Sequence, residues 1–324
     1  MRRVIGALAA LGLLFLAGCG AQVSGPAKAV QTPAQARTKP HPAVQVAAAA
    51  AGPVHYRDQV VVLMYHGIAP KAHGDYITQQ SFSGEIRTLQ ADGFHFVSLA
   101  KVASFLSGGS LPPNAVAITF DDGLESVYTY AYPVLEKAGV PFAAFLIVGR
   151  VGRVTGDLSW AQVQAMDASG LCTVGSHTLA SHGTVQTSPD STGPALTSRI
   201  YHTSTGVEET EAQYIERITE DLHRSREILQ AETGQDVLWF AYPFGSYDPV
   251  VEQVLRQQGY RYAVLAEWGW GVTPHAEHFA LPRINAGTPN STPGNIASTV
   301  EYLASLTAKD PTAVPPASYV PSWR

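Results

Sequence analysis

Between residues 56 and 309, short apolar runs alternate with longer amphipathic stretches, and this rhythm constrains the fold more than any other feature of the chain. The runs at 60–65 (VVVLMY), 94–97, 115–120 (AVAITF), 142–147, 172–175, 238–242, 262–265 and 279–281 are apolar nearly throughout rather than alternating, as suits strands buried on both faces. The stretches at 82–92, 99–107, 125–138, 160–168, 209–233, 249–258 and 293–306 carry helical periodicity. Two of them stop at a glycine, Ala138-Gly139 and Gln258-Gly259, the residue that most easily takes a left-handed helix end. Strand and helix in alternation predict βα units around a parallel sheet or barrel, with functional side chains at the carboxyl ends of the strands. Residues 183–206 break the rhythm. Rich in Ser, Thr, Gly and Pro and longer than an ordinary connection, they read either as a substrate-facing loop or as a surface insertion without a role.

Both ends read differently from this middle. The opening MRRVIGALAALGLLFLAGC has a basic start at Arg2 and Arg3, an apolar run and then small residues, which is an export signal too short to span a membrane comfortably. Leu16-Ala17-Gly18-Cys19 resembles the bacterial lipobox, which implies removal of residues 1–18 and lipidation of Cys19. Residues 20–55 contain no Asp, Glu, aromatic, Leu or Ile, so residues 19–55 are expected to be a disordered tether behind the lipid. A domain at 56–309 and a Pro-rich tail at 310–324 complete the division. The expected location is extracytoplasmic, at the cell membrane, held through the lipid alone.

Charge and cysteine content narrow the chemistry. Lys plus Arg come to 21 and Asp plus Glu to 26, a formal charge of −5, which argues against a nucleic-acid partner. Two cysteines cannot build a disulfide framework or a multi-cysteine zinc site, so any metal must be held mainly by His, Asp or Glu. With Cys19 lipidated, Cys172 stands alone in an apolar stretch and is expected to be a buried, unreactive thiol.

Four strand ends carry polar residues. In Thr119-Phe120-Asp121-Asp122-Gly123, an apolar run leads into paired carboxylates. On a regular strand the two would point oppositely, so they share a pocket only if the chain turns at Gly123; an Asp-Gly pair is otherwise often just a turn. In Ser176-His177-Thr178-Leu179-Ala180-Ser181-His182, histidines five apart overshoot a helical turn and converge only in a loop. Imidazoles beside a carboxylate suit a divalent transition metal, with coordination positions left for water and substrate. In Ala241-Tyr242-Pro243-Phe244-Gly245, the turn fixes the backbone and Tyr242 and Phe244 offer faces to a sugar ring, unless this is simply an apolar strand with a tight turn. His66 closes the first run and Arg283 follows the last one. Trp268 and Trp270 fit either sugar stacking or core packing.

TFDDG, SHTLASH and AYPFG, in this order and each behind an apolar run, resemble the polysaccharide deacetylase family, also called the NodB-homology or carbohydrate esterase family 4 fold, over roughly residues 60–283. LMYHGI, AYPFG and LPRI look most like its single-domain branch that de-N-acetylates poly-β-1,6-N-acetylglucosamine, the biofilm exopolysaccharide. The resemblance implies an α/β fold, a distorted (β/α) barrel of about seven strands forming a single catalytic domain. It implies that Asp122, His177 and His182 bind a divalent transition metal, zinc first, with cobalt, nickel or iron as alternatives. Asp121 becomes the general base, the backbone N–H of Tyr242 faces the oxyanion, and acetate leaves an N-acetylglucosamine-containing polysaccharide. The family's usual Arg is replaced by Ala241, and its acid-supplying Leu-x-His is replaced by Leu281-Pro282-Arg283. The branch therefore implies His66 as the acid, with His275 and His278 as alternatives, and Arg283 as the group that orients Asp121. The chain is expected to act as a monomer. A peptidoglycan or chitin-oligosaccharide deacetylase, or a carbohydrate-binding lipoprotein that has lost catalysis, are the competing readings; the complete set of Asp121, Asp122, His177 and His182 speaks for an enzyme.

Overall fold

The structure, a computed structural model, describes residues 52–268 and 271–309. Its main sheet contains β1 (Val60–Tyr65), β2 (His95–Phe96), β3 (Ala115–Phe120), β4 (Phe142–Leu146), β5 (Cys172–Ser176), β6 (Trp239–Ala241), β7 (Tyr262–Trp268) and β8 (Leu281–Asn285). All pairings in it are parallel. β1 pairs with both β8 and β3, so seven strands close into a ring, while β2 adds to β3 outside it. The connecting helices are α1 (Gln79–Ala91), α2 (Leu99–Leu106), α3 (Tyr132–Ala138), α4 (Trp160–Ala168), α5 (Glu211–Thr233), α6 (Pro249–Gln257) and α7 (Ile296–Lys309). This is the distorted (β/α) barrel that the alternating pattern and the family resemblance imply.

The two-residue period of a strand divides the buried side chains into two layers. Val60 and Val62 of β1, Ala115 and Ala117 of β3, Ala143 and Phe145 of β4, and Ala241 of β6 pack inside the ring, where Leu99, Val102 and Leu106 of α2 join them. Val61, Leu63, Tyr65, Val116, Ile118, Phe120, Phe142, Ala144 and Leu146 face the helices. Each large apolar side chain buried this way contributes about 1.5–3 kcal/mol. The same parity carries Thr119 and Asp121 of one strand end, and Leu281 and Arg283 of β8, toward the axis.

Helix starts differ from the periodicity because caps, not apolar spacing, set them. Thr78, Ser98, Ser159, Thr210 and Asp248 each accept a backbone N–H three residues ahead, and Ser159–Gln162 and Thr210–Gln213 close as reciprocal capping boxes. The expected helix at 125–138 is divided: residues 127–131 form a wider π-type turn, and α3 starts only at Tyr132, with Pro133 in its first turn. The last apolar run is shifted, so that β8 begins where the expected strand ended.

Residues 183–206 are folded. They contribute the hairpin of Thr184–Ser188 with Ser191–Pro194, and the pairing of Tyr201–His202 with Val207–Glu208. Arg217 of α5 fastens this insertion: it donates to Glu209 at 2.9 and 3.0 Å and to the carbonyls of Ala195 and Ser198 at 2.9 and 2.8 Å. At the amino end of the barrel, Asn114 accepts the N–H groups of His55 and Tyr56 and donates to Pro53 and Gly93. Pro53 and His55, ahead of the boundary expected at 56, are thus tied to the barrel. The signal at 1–18, Cys19, the tether up to residue 51 and the tail at 310–324 lie outside the described residues. Among the described residues, no helix is long and apolar enough to cross a membrane.

Candidate active site

The paired carboxylates come together by backbone conformation. Asp121 leaves β3 with its N–H on the Tyr65 carbonyl at 2.9 Å. Asp122 then takes φ 73° and Gly123 φ 78°, so the reversal spans two left-handed residues rather than the glycine alone. Aspartate is among the few residues that tolerate this region. The side chain of Asp122 is thereby thrown back toward that of Asp121 instead of alternating away from it.

Asp121 is 2% exposed and Arg283 1% exposed, and the two meet as a fork: Nη1 to Oδ1 and Nη2 to Oδ2, both at 2.7 Å. Arg283 also donates to the Leu265 carbonyl at 2.7 Å and to the Thr119 hydroxyl at 3.2 Å, and its guanidinium lies 5.7 Å from the ring centre of Phe145. Burial opposes the charge on Asp121, but Arg283, His177 and His66 outweigh it and hold the carboxyl far below the usual range. Asp121 is thus ionised in a dry place. Ala241, where the family carries arginine, faces the same interior, and the cation reaches the base from β8, two strands further round.

His177 follows β5. Its N–H donates to the Leu146 carbonyl at 2.8 Å, and its Nδ1 lies 2.7 Å from the Ala241 carbonyl. A carbonyl can only accept, so the proton is on Nδ1 and Nε2 is left as a lone-pair donor. Burial pushes His177 down to about 4, which keeps the ring neutral. Thr178 takes φ 76°, unusual for a β-branched residue, and turns the loop so that His182 comes back to His177. The ring centres are 4.6 Å apart, and Nε2 of His182 and of His177 lie 3.1 and 3.7 Å from Oδ1 of Asp122. Ligand atoms from Asp122, His177 and His182 all fall within 4.8 Å of one another. Tetrahedral ligands at zinc-like bond lengths lie about 3.3 Å apart, so two imidazoles and a carboxylate in this cluster fit a divalent transition metal.

His66 follows β1 at the same end of the ring, half-buried, with Nδ1 buried and without a hydrogen-bond partner among the described residues. The alternative acids lie elsewhere. His278 sets its ring at a tilt against that of Tyr262 at the start of β7, and exposed His275 follows Val272, which pairs with Val60 at the start of β1. Both precede β8 and belong to the amino end of the barrel, away from Asp121. The oxyanion role expected of Tyr242 does not fit either. Its N–H already donates to the Val264 carbonyl at 3.1 Å, and its side chain is buried with the hydroxyl on the Phe279 carbonyl. Phe244, at φ 59° and 56% exposed, presents its ring 5.0 Å from that of His182 and forms the open rim of the site. Arg283 is committed to Asp121 rather than to the exterior. The side chain of Trp268 and all of Trp270 lie outside the described residues. Cys172 is a free, buried thiol pushed far above its ordinary pKa by burial.

Residues 108–263 match the family model described as polysaccharide deacetylase. The solved structure of IcaB from Ammonifex degensii aligns over 76% of this chain and 97% of its own, at TM-score 0.61 and 29% identity. Over these residues the chain is similar to the polysaccharide deacetylase family. A poly-β-1,6-N-acetyl-D-glucosamine N-deacetylase of Escherichia coli K12 is 31% identical over 191 residues, which is 53% of this chain and 28% of that protein. The chain thus spans well under half the length of that relative. The Staphylococcus epidermidis protein of the same name is 26% identical over 212 residues, 64% of this chain and 67% of that one. A de-N-acetylase from Aggregatibacter actinomycetemcomitans shares the fold at TM-score 0.65 and 22% identity, over 70% of this chain and 94% of that one. The family match takes in Asp121, Asp122, His177 and His182; His66 and Arg283 fall on either side of it.

One residue beside this site is not evident from the motifs. Asp221 of α5 is 7% exposed and accepts from the loop between the two histidines. The signal was present: Tyr214, Ile218, Leu222, Ser225 and Leu229 form the buried stripe of α5, and Asp221 is a charge on that stripe.

Proposed function

We propose that the protein removes acetyl groups from the N-acetylglucosamine units of a surface polysaccharide, poly-β-1,6-N-acetylglucosamine first, and releases acetate. The observation that carries this reading is the Asp121–Arg283 fork directly beside the Asp122, His177 and His182 cluster. A divalent metal on those three residues would polarise the acetyl carbonyl and acidify a water beside Asp121. Asp121, kept ionised by Arg283, accepts the proton of the attacking water. The fork secures the charged form but lowers basicity, which is why the water has to be made acidic for the transfer to proceed. His66 delivers a proton to the departing amine, and Phe244 offers its exposed ring to the sugar. Zinc suits two imidazoles and one carboxylate, with cobalt, nickel and iron as the other candidates.

The names of the E. coli and staphylococcal relatives support this choice of polymer. The LAGC sequence at 16–19 and the tether composition support an extracytoplasmic lipoprotein, anchored at Cys19 and acting on polymer near the membrane. The test is acetate release by the purified zinc-loaded protein from poly-β-1,6-N-acetylglucosamine, peptidoglycan and chitin oligomers. The first substrate is expected to be turned over fastest, and Asp121→Asn to lower the rate by at least about 10²-fold while retaining zinc. Tight binding of the polymer without acetate would instead identify a binding module.

A further inference from the structure

The geometry points to Asp221 as the positioning residue that gives the His177–His182 loop its metal-binding shape, an inference that rests on the metal-dependent reading above. Asp221 lies midway along α5 and has no place in the cluster itself. Its Oδ1 accepts the N–H of Leu179 at 2.8 Å, and its Oδ2 accepts the N–H of Ala180 at 2.8 Å and the hydroxyl of Ser181 at 2.9 Å. These are three consecutive residues of the four that separate the histidines. An ionised carboxylate accepts at several lone pairs and donates nothing, so it is the side chain that can take all three.

The loop needs such a fastening. Thr178 holds a left-handed φ of 76°, a conformation that persists only where its surroundings enforce it. From the opposite side, Val148 and Gly149 donate their N–H groups to the carbonyls of Thr178 and Leu179 at 3.0 and 2.9 Å. A side chain at Gly149 would meet the Leu179 oxygen at 2.5 Å. One turn further along α5, the hydroxyl of Ser225 reaches that of Ser176, so the helix grips both the strand end and the loop. The two histidines are not equally dependent on this grip. His177 has its own anchors on Leu146 and Ala241, whereas His182 sits beyond the three tethered residues and is 24% exposed. Asp221 therefore acts on the metal through His182.

Zinc affinity of the full protein, measured by competition with a chromophoric chelator, tests this without reference to turnover. Asp221→Ala is expected to weaken zinc binding about 10–100-fold, as loss of an outer-shell partner does, with Asp221→Asn in between because its amide turns one acceptor into a donor. In an His182→Ala background, Asp221→Ala should cause no further loss, since both changes remove the same contribution. With cobalt in place of zinc, Asp221→Ala should alter the visible absorption of the bound ion. Far-UV circular dichroism of the metal-free proteins separates loop from fold; should Asp221→Ala fail to fold, Ser181→Ala, which removes one tether, is expected to weaken binding a few-fold. Affinity unchanged in Asp221→Ala, or in Ser181→Ala and Asp221→Asn together, overturns the assignment, as does full additivity with His182→Ala. Wild-type protein that binds no zinc overturns the metal reading itself, a distinguishable result.

Discussion

Arg283 and Asp121 form a buried ion pair whose two members depend on each other unequally. Removing the arginine leaves a carboxylate in the dry barrel with no counter-charge, a change that costs about 3–5 kcal/mol in comparable pairs. Arg283→Met is therefore expected to lower the urea midpoint strongly and to abolish acetate release. Arg283→Lys keeps the charge but not the fork, and should retain more stability than activity; equal losses in both would sink the orienting role. Since the folded Asp121 lies far below its unfolded value, the pair stabilises from about pH 4 upward and is lost only as strong acid protonates the carboxylate. The grouping of Asp122, His177 and His182 was legible in the sequence because its members come from two short motifs at strand ends. The fork was legible only through the family pattern, because 162 positions separate its partners and no local spacing reveals them. The misplaced oxyanion donor has an equally plain cause: nothing in AYPFG tells whether the N–H of Tyr242 is spent in the ladder with Val264.

At the scale of elements, α1 carries a further buried acid. Glu85 is fully buried, accepts the hydroxyl of Tyr65 at 2.8 Å and that of Ser291 at 3.1 Å, and is pushed up to about 7 by burial, which outweighs these hydrogen bonds. Here the folded protein holds the proton more tightly than the unfolded chain, whose value is 4.5. The contribution is complete below that value and is lost as pH rises toward 7, a change on the order of 3 kcal/mol. Glu85→Gln should flatten the dependence of stability on pH across this window and leave the variant firmer than wild type at pH 8; parallel slopes in denaturant titrations would refute it. Strand positions were legible because unbroken apolar runs leave little choice, and helix positions because of their period. Boundaries were not: Thr78 and Thr210 set helix starts by hydrogen bonding, and the turn at 127–131 changes pitch without changing composition. Residues 183–206 misled because Ser, Thr and Gly suit hairpins as well as open loops, and the arginine that orders them lies on α5.

For the whole molecule, the barrel has its own apolar interior and outer layer, so the metal is expected to be needed for chemistry more than for folding. A chelator should abolish acetate release while lowering the melting temperature by only a few degrees, with zinc restoring both; a ligand at a hundred times its Kd adds about 2.7 kcal/mol. Turnover that survives complete chelation would contradict the metal-dependent reading. The ring also fixes an order of events. Its last strand, β8, closes against its first, β1, and the arginine it carries is the partner of a carboxylate formed early in the chain. A nascent chain emerging amino end first cannot close the ring or neutralise Asp121 before β8 has been made. Until then the edge of β1 that faces β8 is open to self-association, and docking of β8 covers it.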